Sequence, residues 1–237
     1  MLRSVPLSDV AAHLFTTTSV RLREDAAEWT RVAAALDANP VSLRLLHQVH
    51  GHDVAVVRQG DPAPARRPDA DIIISSDPAV AIGVQVADCA PILLADRTRA
   101  VVGAAHAGWR GTGQNVAATA VRSLRETFGV DPANLTAVVG PCLGPCCGEM
   151  GPEVVEEFRA AGHSGADIGR WFTAGPRGRP HFDLWRANAD QLERAGVPAA
   201  SIHIARLCTK CRPDVFHSYR AAGAGAGRMA GVIRPRG

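Results

Sequence analysis

With 237 residues, 46% of them hydrophobic, the chain can fill one continuous α/β core. Its net charge is only +3, and every basic residue except Lys210 is an arginine. No basic cluster is dense enough to hold nucleic acid, and no apolar run reaches the roughly 18 residues that span a bilayer.

The opening stretch, MLRSVPLSDVAAHLFTTT, has no uninterrupted apolar segment of the export-signal kind. The protein is therefore expected to be soluble and cytoplasmic, with small-molecule partners and neither nucleic acid nor membrane among them. The six cysteines are Cys89, Cys142, Cys146, Cys147, Cys208 and Cys211. In a chain of this length without an export signal, thiol or metal chemistry is expected over a disulfide framework.

Strand-like and helix-like segments alternate along the chain. Residues 13–17 read as a first strand, and residues 24–37 as a helix that Asn39-Pro40 brings to an end. Residues 43–50 and 53–57 read as neighbouring strands around Gly51, and the Pro-rich residues 61–70, with Arg66-Arg67, as a solvated loop. Four apolar runs follow, at 71–75, 80–87, 91–96 and 100–108, each suited to a strand covered on both faces. Residues 112–128 form the strongest helical pattern, with Thr112 as its expected N-cap and Gly129 as its stop. A strand at 135–140 and a Pro-initiated helix at 152–162 come next, then a Gly/Pro-rich stretch at 162–180 expected as an exposed loop. The C-terminal part reads as a helix at 183–196 capped by Asp183, strands at 201–205 and 229–233, and a glycine-rich loop or hairpin at 223–227. No repeat or linker divides the chain, which predicts a single α/β domain over 1–237.

Unusual chemistry concentrates in three segments: HQVHGH at 47–52, ADCAP at 87–91 and AHAGWRGT at 105–112. Each lies at the end of an expected strand, where α/β sheets gather ligands. A hairpin of the runs at 91–96 and 100–108 brings Cys89 and His106 to one edge. Two imidazoles and one thiolate make a zinc site with one tetrahedral position open, the catalytic pattern. The same residues also suit a buried small cysteine and backbone-satisfied histidines. His47 is at odd parity to His50 and is expected to face away; His52 is either a spare ligand or solvated.

QVHG, VADCAPILL, AAHAGWRGT, GPCLGPCCGEM, LCTKC and FHSYR followed by GRMAGVI stand in this order. Together they closely resemble the YfiH/laccase-domain family over the chain from about residue 40 onward. Its members have been named multicopper polyphenol oxidases and later purine nucleoside phosphorylases. The resemblance implies a four-layer α/β/β/α sandwich with mixed sheets, shared with CNF-type toxins. It implies a catalytic Zn²⁺ bound by His50, Cys89 and His106. Affinity order makes Cu²⁺ an adventitious occupant of such a site. Gln48, Arg110, Tyr219, Arg220 and Arg228 are the candidate substrate contacts; each arginine also suits a surface or ion-paired position, and Tyr219 a place closing the core. His217 stands where the family often has an aromatic residue, which bears on the pocket wall.

The remaining cysteines have bland readings beside sharper ones. Cys208-x-x-Cys211 reads as a tight turn, half a zinc knuckle or a redox pair, and is expected to be dispensable for catalysis. A four-cysteine site needs help from Cys142, Cys146 or Cys147, whose turn reads as tight packing or an anion-binding nest. Trp109 reads as a base-stacking or a core residue.

The function the resemblance implies is purine nucleoside phosphorolysis, with adenosine deamination at the same zinc site. Copper oxidation of phenols is an alternative, since two His and one Cys resemble a blue-copper set. It also requires a three-copper cluster fed by several His-x-His pairs, and the chain has one, His50-Gly51-His52. A hydrolase that removes a wrong amino acid from a UDP-muramyl peptidoglycan precursor is another alternative, and a non-catalytic zinc-stabilised binding protein a fourth.

Overall fold

Ile72, Ile73 and Ile74 are consecutive, yet the first and third pack into one hydrophobic layer and the second into another. This period of two runs through the central strands and divides the molecule into layers. The computed structural model describes residues 1–175 and 178–236.

Its strands are β1 (Ala11–Phe15), β2 (Leu43–Leu45), β3 (Val54–Val57), β4 (Ile72–Ser75), β5 (Ala81–Val86), β6 (Ala90–Asp96), β7 (Val102–Ala107), β8 (Leu135–Val139), β9 (Phe172–Ala174), β10 (Pro180–Phe182), β11 (Ile202–Ile204) and β12 (Met229–Pro235). Its α-helices are α1 (Val5–Ser8), α2 (Ala26–Ala34), α3 (Trp109–Gly113), α4 (Val116–Phe128), α5 (Pro152–Ala160), α6 (Gly165–Trp171), α7 (Leu184–Arg194) and α8 (Tyr219–Ala222). One mixed sheet has the order β11-β8-β6-β7-β4-β3, a second the order β1-β12-β5-β2, and β9 and β10 form a separate ribbon.

The two larger sheets face each other across Phe15, Ile73, Ile82, Val84, Leu93, Val102, Ala104, Val138 and Ile233. The outer face of the six-stranded sheet is covered by α4 through Val116, Ala120 and Leu124, and by Phe158, Trp171 and Leu192 of α5, α6 and α7. The outer face of the four-stranded sheet carries α2, whose Trp29, Val32 and Ala33 meet Leu14, Ala230 and Val232. The order helix, sheet, sheet, helix is the four-layer sandwich with mixed sheets that the resemblance implied. No helix among the described residues is long and apolar enough to cross a membrane.

Several local expectations need correction. Residues 43–50 and 53–57 do not form neighbouring strands: β2 belongs to the four-stranded sheet and β3 to the six-stranded one. The chain between them crosses the sandwich, turning at His50, whose φ is +63°. Thr112 is not the N-cap of the long helix; it is buried in α3, and its hydroxyl meets Asn188 of α7. Asn115, at φ +61°, precedes α4, while Gly129 ends it in the left-handed conformation as expected. The expected loop at 162–180 contains α6 and β9, because Ile168 and Trp171 anchor it in the core and Ser164 caps α6; its residues 176–177 lie outside the described residues. Of the two readings of residues 223–227, the loop holds and the hairpin does not: a short 3-10 turn spans Gly223–Gly225.

Leu93 is fully buried at the middle of the inter-sheet layer, in register with Ala104 and Val138. Leu93→Ala is expected to lower unfolding stability by about 2–5 kcal/mol, from lost transfer energy and the cavity left behind. Urea unfolding checks this, with the midpoint falling and the slope unchanged.

Candidate metal centre and cleft

The chain passes from the four-stranded to the six-stranded sheet between β2 and β3, and again between β5 and β6. The first crossing carries His50, and the second carries Cys89. His106 is the penultimate residue of β7 and pairs in register with Pro91 of β6. It shares the parity of Val102 and Ala104, so it faces the inter-sheet side. The hairpin expected from sequence is therefore what brings Cys89 and His106 to one edge.

The donor atoms of His50, Cys89 and His106 all lie within 4.8 Å of one another. Cys89 Sγ is 4.0 Å from His50 Nε2, and the two imidazole rings meet edge to face at 4.8 Å between centroids. A tetrahedral ion with metal–nitrogen and metal–sulfur bonds of about 2.0–2.3 Å sets its donors roughly 3.5 Å apart, so the set closes on an ion with little movement. His50 is exposed, Cys89 half-buried and His106 buried, which leaves the fourth direction open toward the cleft.

Asp71 holds this arrangement. Its carboxylate is fully buried and accepts the backbone N–H groups of Val49 (3.1 Å), His50 (3.1 Å) and Gly51 (2.7 Å). The same group accepts a hydrogen bond from His106 Nδ1 at 2.7 Å. That bond fixes the ring so that Nε2 is the nitrogen free to bind a metal. Burial pushes the Asp71 carboxyl up, but His106 and the backbone donors outweigh it and hold the group below the usual carboxylate range.

The ligands themselves are polarised. Burial works against the Cys89 thiolate, yet the His106 charge and hydrogen bonds from both imidazoles bring its pKa down to about 6. Burial likewise opposes the charged His106, and the Cys89 thiolate and Asp71 raise its pKa to about 9. The thiolate of Cys89 and the protonated ring of His106 thus each favour the other's charged form.

Asp88, just before Cys89, has φ +79°, a conformation that costs an L residue of order 1 kcal/mol. It is held there by Thr209 Oγ1 (2.6 Å) and Arg220 N–H (2.6 Å), each donating to its carboxylate, while its own carbonyl accepts from Leu143 N–H (2.8 Å). Sequence reasoning missed Asp71 and Asp88 alike. Asp71 looked like the polar first residue of a strand, and Asp88 carried only the signal of standing beside Cys89.

The centre opens into a cleft of about 1040 Å³. All eight residues singled out from sequence line it: Gln48, His50, Cys89, His106, Arg110, Tyr219, Arg220 and Arg228. Their freedom differs. The Gln48 amide is engaged at both ends by the backbone of Gln85. Arg220 donates to the Glu149 carbonyl, and Arg228 to the carbonyls of Ala226 and Gly227. The Arg110 guanidinium stacks 4.3 Å from the Trp109 ring and has no hydrogen-bonding partner among the described residues. Trp109 packs against the core and also lines the cleft.

Three other histidines stand apart from the donor set. His47 pairs with Asp69 at 2.9 Å, His52 with Gln114 at 2.7 Å, and His217 with the Val20 carbonyl at 2.9 Å. His217 does not line the cleft. The turn of Cys142, Cys146 and Cys147 is not an anion nest, since the N–H groups of residues 142, 143, 144, 147 and 148 are taken up within the protein. Among the described residues the groups able to hold a metal are two, and only one contains histidine.

Residues 23–236 match the model of the family described as multi-copper polyphenol oxidoreductase laccase. A purine nucleoside phosphorylase of Bacteroides thetaiotaomicron is 33% identical over 163 residues, which is 69% of this chain and 60% of that protein. The adenosine deaminase RL5 of an unknown prokaryotic organism is 34% identical over 212 residues, 86% of this chain and 79% of that protein. The crystal structure of YfiH from Bacillus licheniformis superposes with a TM-score of 0.82 at 28% identity, covering 89% of this chain and 80% of that one.

Two substitutions probe the centre without touching a donor. Asp71→Asn keeps the volume but removes the charge and one acceptor, so metal affinity is expected to fall roughly 10- to 100-fold. A competition titration against a chelator of known affinity measures it. A Cβ at residue 108 stands 2.9 Å from Cys89 Sγ and 3.3 Å from His50 Cδ2. Since Gly108 has φ −79°, open to any residue, Gly108→Ala isolates this steric effect. It is expected to lower bound metal while circular dichroism stays unchanged.

Proposed function

The chain belongs to the multi-copper polyphenol oxidoreductase laccase family, and we propose that it serves there as a purine nucleoside phosphorylase that also deaminates adenosine. The observation that carries this reading is an open three-donor metal centre on the wall of a cleft that also presents an uncommitted arginine. The relatives named for these two activities support it.

Zn²⁺ is the ion assigned to His50, Cys89 and His106, because one thiolate and two imidazoles with a fourth position open form a familiar catalytic zinc set. When bound, the ion supplies Lewis acidity that polarises an oxygen and activates water near neutral pH. Copper is left as an adventitious occupant: His52 is turned to Gln114, and no second histidine group stands among the described residues to hold further copper ions. We read residues 1–237 as one domain, since loops from both sheets build one centre. Its partners are a purine nucleoside and phosphate, and its setting the cytoplasm.

The side chains divide the work. Arg110, steadied by Trp109, binds phosphate with a charge-assisted, fork-shaped contact. Trp109 offers the apolar face on which a purine stacks. Tyr219, 54% exposed at the cleft, supplies a hydroxyl for the sugar. Arg220 and Arg228 bound the cleft and add positive potential, and Gln48 braces the wall through Gln85. In phosphorolysis a phosphate oxygen bonds to C1′ of the ribose as the bond from C1′ to the base nitrogen breaks. The base leaves with the electron pair, and the sugar passes through an oxocarbenium-like state. In deamination, water replaces the amino group at C6 of adenine and ammonia departs.

Adenosine or inosine with phosphate is expected to give free base and ribose 1-phosphate, and adenosine also to give some inosine. Arg110→Ala is expected to raise KM for phosphate roughly 10- to 100-fold, the loss of a charge-assisted contact of about 1.5–3 kcal/mol. Deamination is expected to suffer less, because it consumes water. Product analysis with and without phosphate decides the reaction. Base release at an unchanged rate without phosphate makes the protein a nucleosidase instead. Turnover of a UDP-muramyl substrate but of no nucleoside replaces the reading with the editing hydrolase.

A further inference from the structure

The cysteines that the cleft does not use are gathered in one place. The sulfur atoms of Cys146, Cys147, Cys208 and Cys211 all lie within 4.8 Å of one another, and none of the four residues lines the cleft. We propose that these four cysteines form a second metal site, a closed tetrathiolate zinc centre that clips the turn of residues 145–147 to the turn of residues 208–211.

Geometry separates this from a disulfide. Cys211 Sγ lies 3.5 Å from Cys146 Sγ and 3.5 Å from Cys147 Sγ, so it has two equal partners and not one. A disulfide selects a single partner at about 2.05 Å and leaves the other two sulfurs unused. A tetrahedral ion with zinc–sulfur bonds of about 2.3 Å places every pair of sulfurs roughly 3.8 Å apart, within the range these four occupy. All four sulfurs are then used and no position stays open, the mark of a structural site.

The surroundings are built for it. Cys208 is buried and accepts the N–H of Gly144 at 3.3 Å, the kind of outer bond that fixes a ligating sulfur. Cys142 N–H donates to the Leu207 carbonyl and Thr209 N–H to the Cys142 carbonyl, so the two turns are already joined by backbone. His181 Nδ1 donates to the Pro145 carbonyl at 2.8 Å and steadies the first turn from behind. Burial and the neighbouring sulfurs push the Cys146 thiol up and the Cys147 thiol up to about 11. At Cys208 burial is outweighed by hydrogen bonds from the Gly144 and Cys211 N–H groups, which hold its thiol down. A divalent cation favours all four thiolates, and each ligating thiol still protonated gives its proton to solvent as the bond to the ion forms.

The structural consequence reaches the cleft. Thr209 lies between the two cysteines of the second turn, and its hydroxyl holds Asp88 beside Cys89. The clip joins residues 65 apart in the chain, a span over which a cross-link removes much entropy from the unfolded state. It therefore stabilises the wall that carries Cys89 without taking part in the chemistry.

The test is metal counting on reduced, full-length protein. Wild type is expected to bind two zinc ions per chain. Cys89→Ala is expected to keep one, because it leaves the four-cysteine cluster intact, and Cys208→Ser/Cys211→Ser to keep the other. The double variant is expected to melt several degrees lower. Cobalt added to metal-free Cys89→Ala protein is expected to show the intense visible bands of a tetrahedral tetrathiolate site. Bound zinc is expected to protect Cys146 and Cys211, both exposed, from a thiol reagent. The Cys89→Ala measurements do not depend on the double variant folding. Cys89→Ala protein that binds no cobalt with thiolate bands overturns the site. So does an intact mass showing that two of the four thiols are oxidised to a disulfide in protein purified without reductant. Neither outcome bears on the phosphate dependence of nucleoside cleavage, so the two readings fail separately.

Discussion

One buried carboxylate organises the centre. Asp71 is inaccessible to solvent and charged, a state that is costly unless every lone pair is met. It is met by three successive N–H groups from residues 49–51 and by the ring of His106. The four bonds do two things at once. They pull the chain after β2 out of an extended path and into the crossing turn, and they orient the imidazole of β7 toward that turn. The position of one ligand and the orientation of another thus depend on the same buried charge.

The sandwich explains why the centre lies where it does. A two-sheet core is dry in the middle, so a functional group can reach solvent only where the chain leaves one sheet for the other. Two such crossings meet at one end, each turning on a non-glycine residue of positive φ, His50 in one and Asp88 in the other. Local strain at both points is held by surrounding bonds: Asp71 binds the first turn, and Thr209, Arg220 and Leu143 bind the second. The same-side neighbour Gly108 leaves the space in which the three donors converge.

Sequence alone made the layers and the convergence of His50, Cys89 and His106 legible, for different reasons. Apolar runs such as 91–96 and 100–108 are strands on both counts of length and composition, and their hairpin follows from a short turn. The donors were legible because His and Cys are rare and stand at strand ends in motifs of several residues. What stayed hidden was long-range. Residues 43–50 look extended throughout, and only capture by Asp71, 20 to 22 residues away, bends them out of the sheet. Residues 162–180 look like a loop because glycines dilute the anchors Ile168 and Trp171. The four-cysteine cluster was legible only in part: Cys208-x-x-Cys211 pointed to Cys142, Cys146 or Cys147 for help, but Cys146-Cys147 is not a CxxC pair and lies on another turn, so spacing did not select it.

The charge lining the cleft bears on which substrate it suits. Arg23 is bonded to the carbonyls of Ala224 and Ala226, Arg67 to Glu24, Arg220 to the Glu149 carbonyl and Arg228 to those of Ala226 and Gly227. Each has part of its fork of donors already committed. Among the described arginines of the cleft, Arg110 alone holds its full fork of donors uncommitted, fixed only by its stack on Trp109. One preorganised guanidinium beside one metal centre matches a single phosphate well. A nucleotide-linked substrate brings a diphosphate whose further negative charge calls for further free cations, and those present are partly engaged. The cleft is also lined by Trp109 and Met150, surfaces suited to a neutral purine ring. Charge count and lining thus favour a neutral nucleoside with separate phosphate over a large anionic precursor.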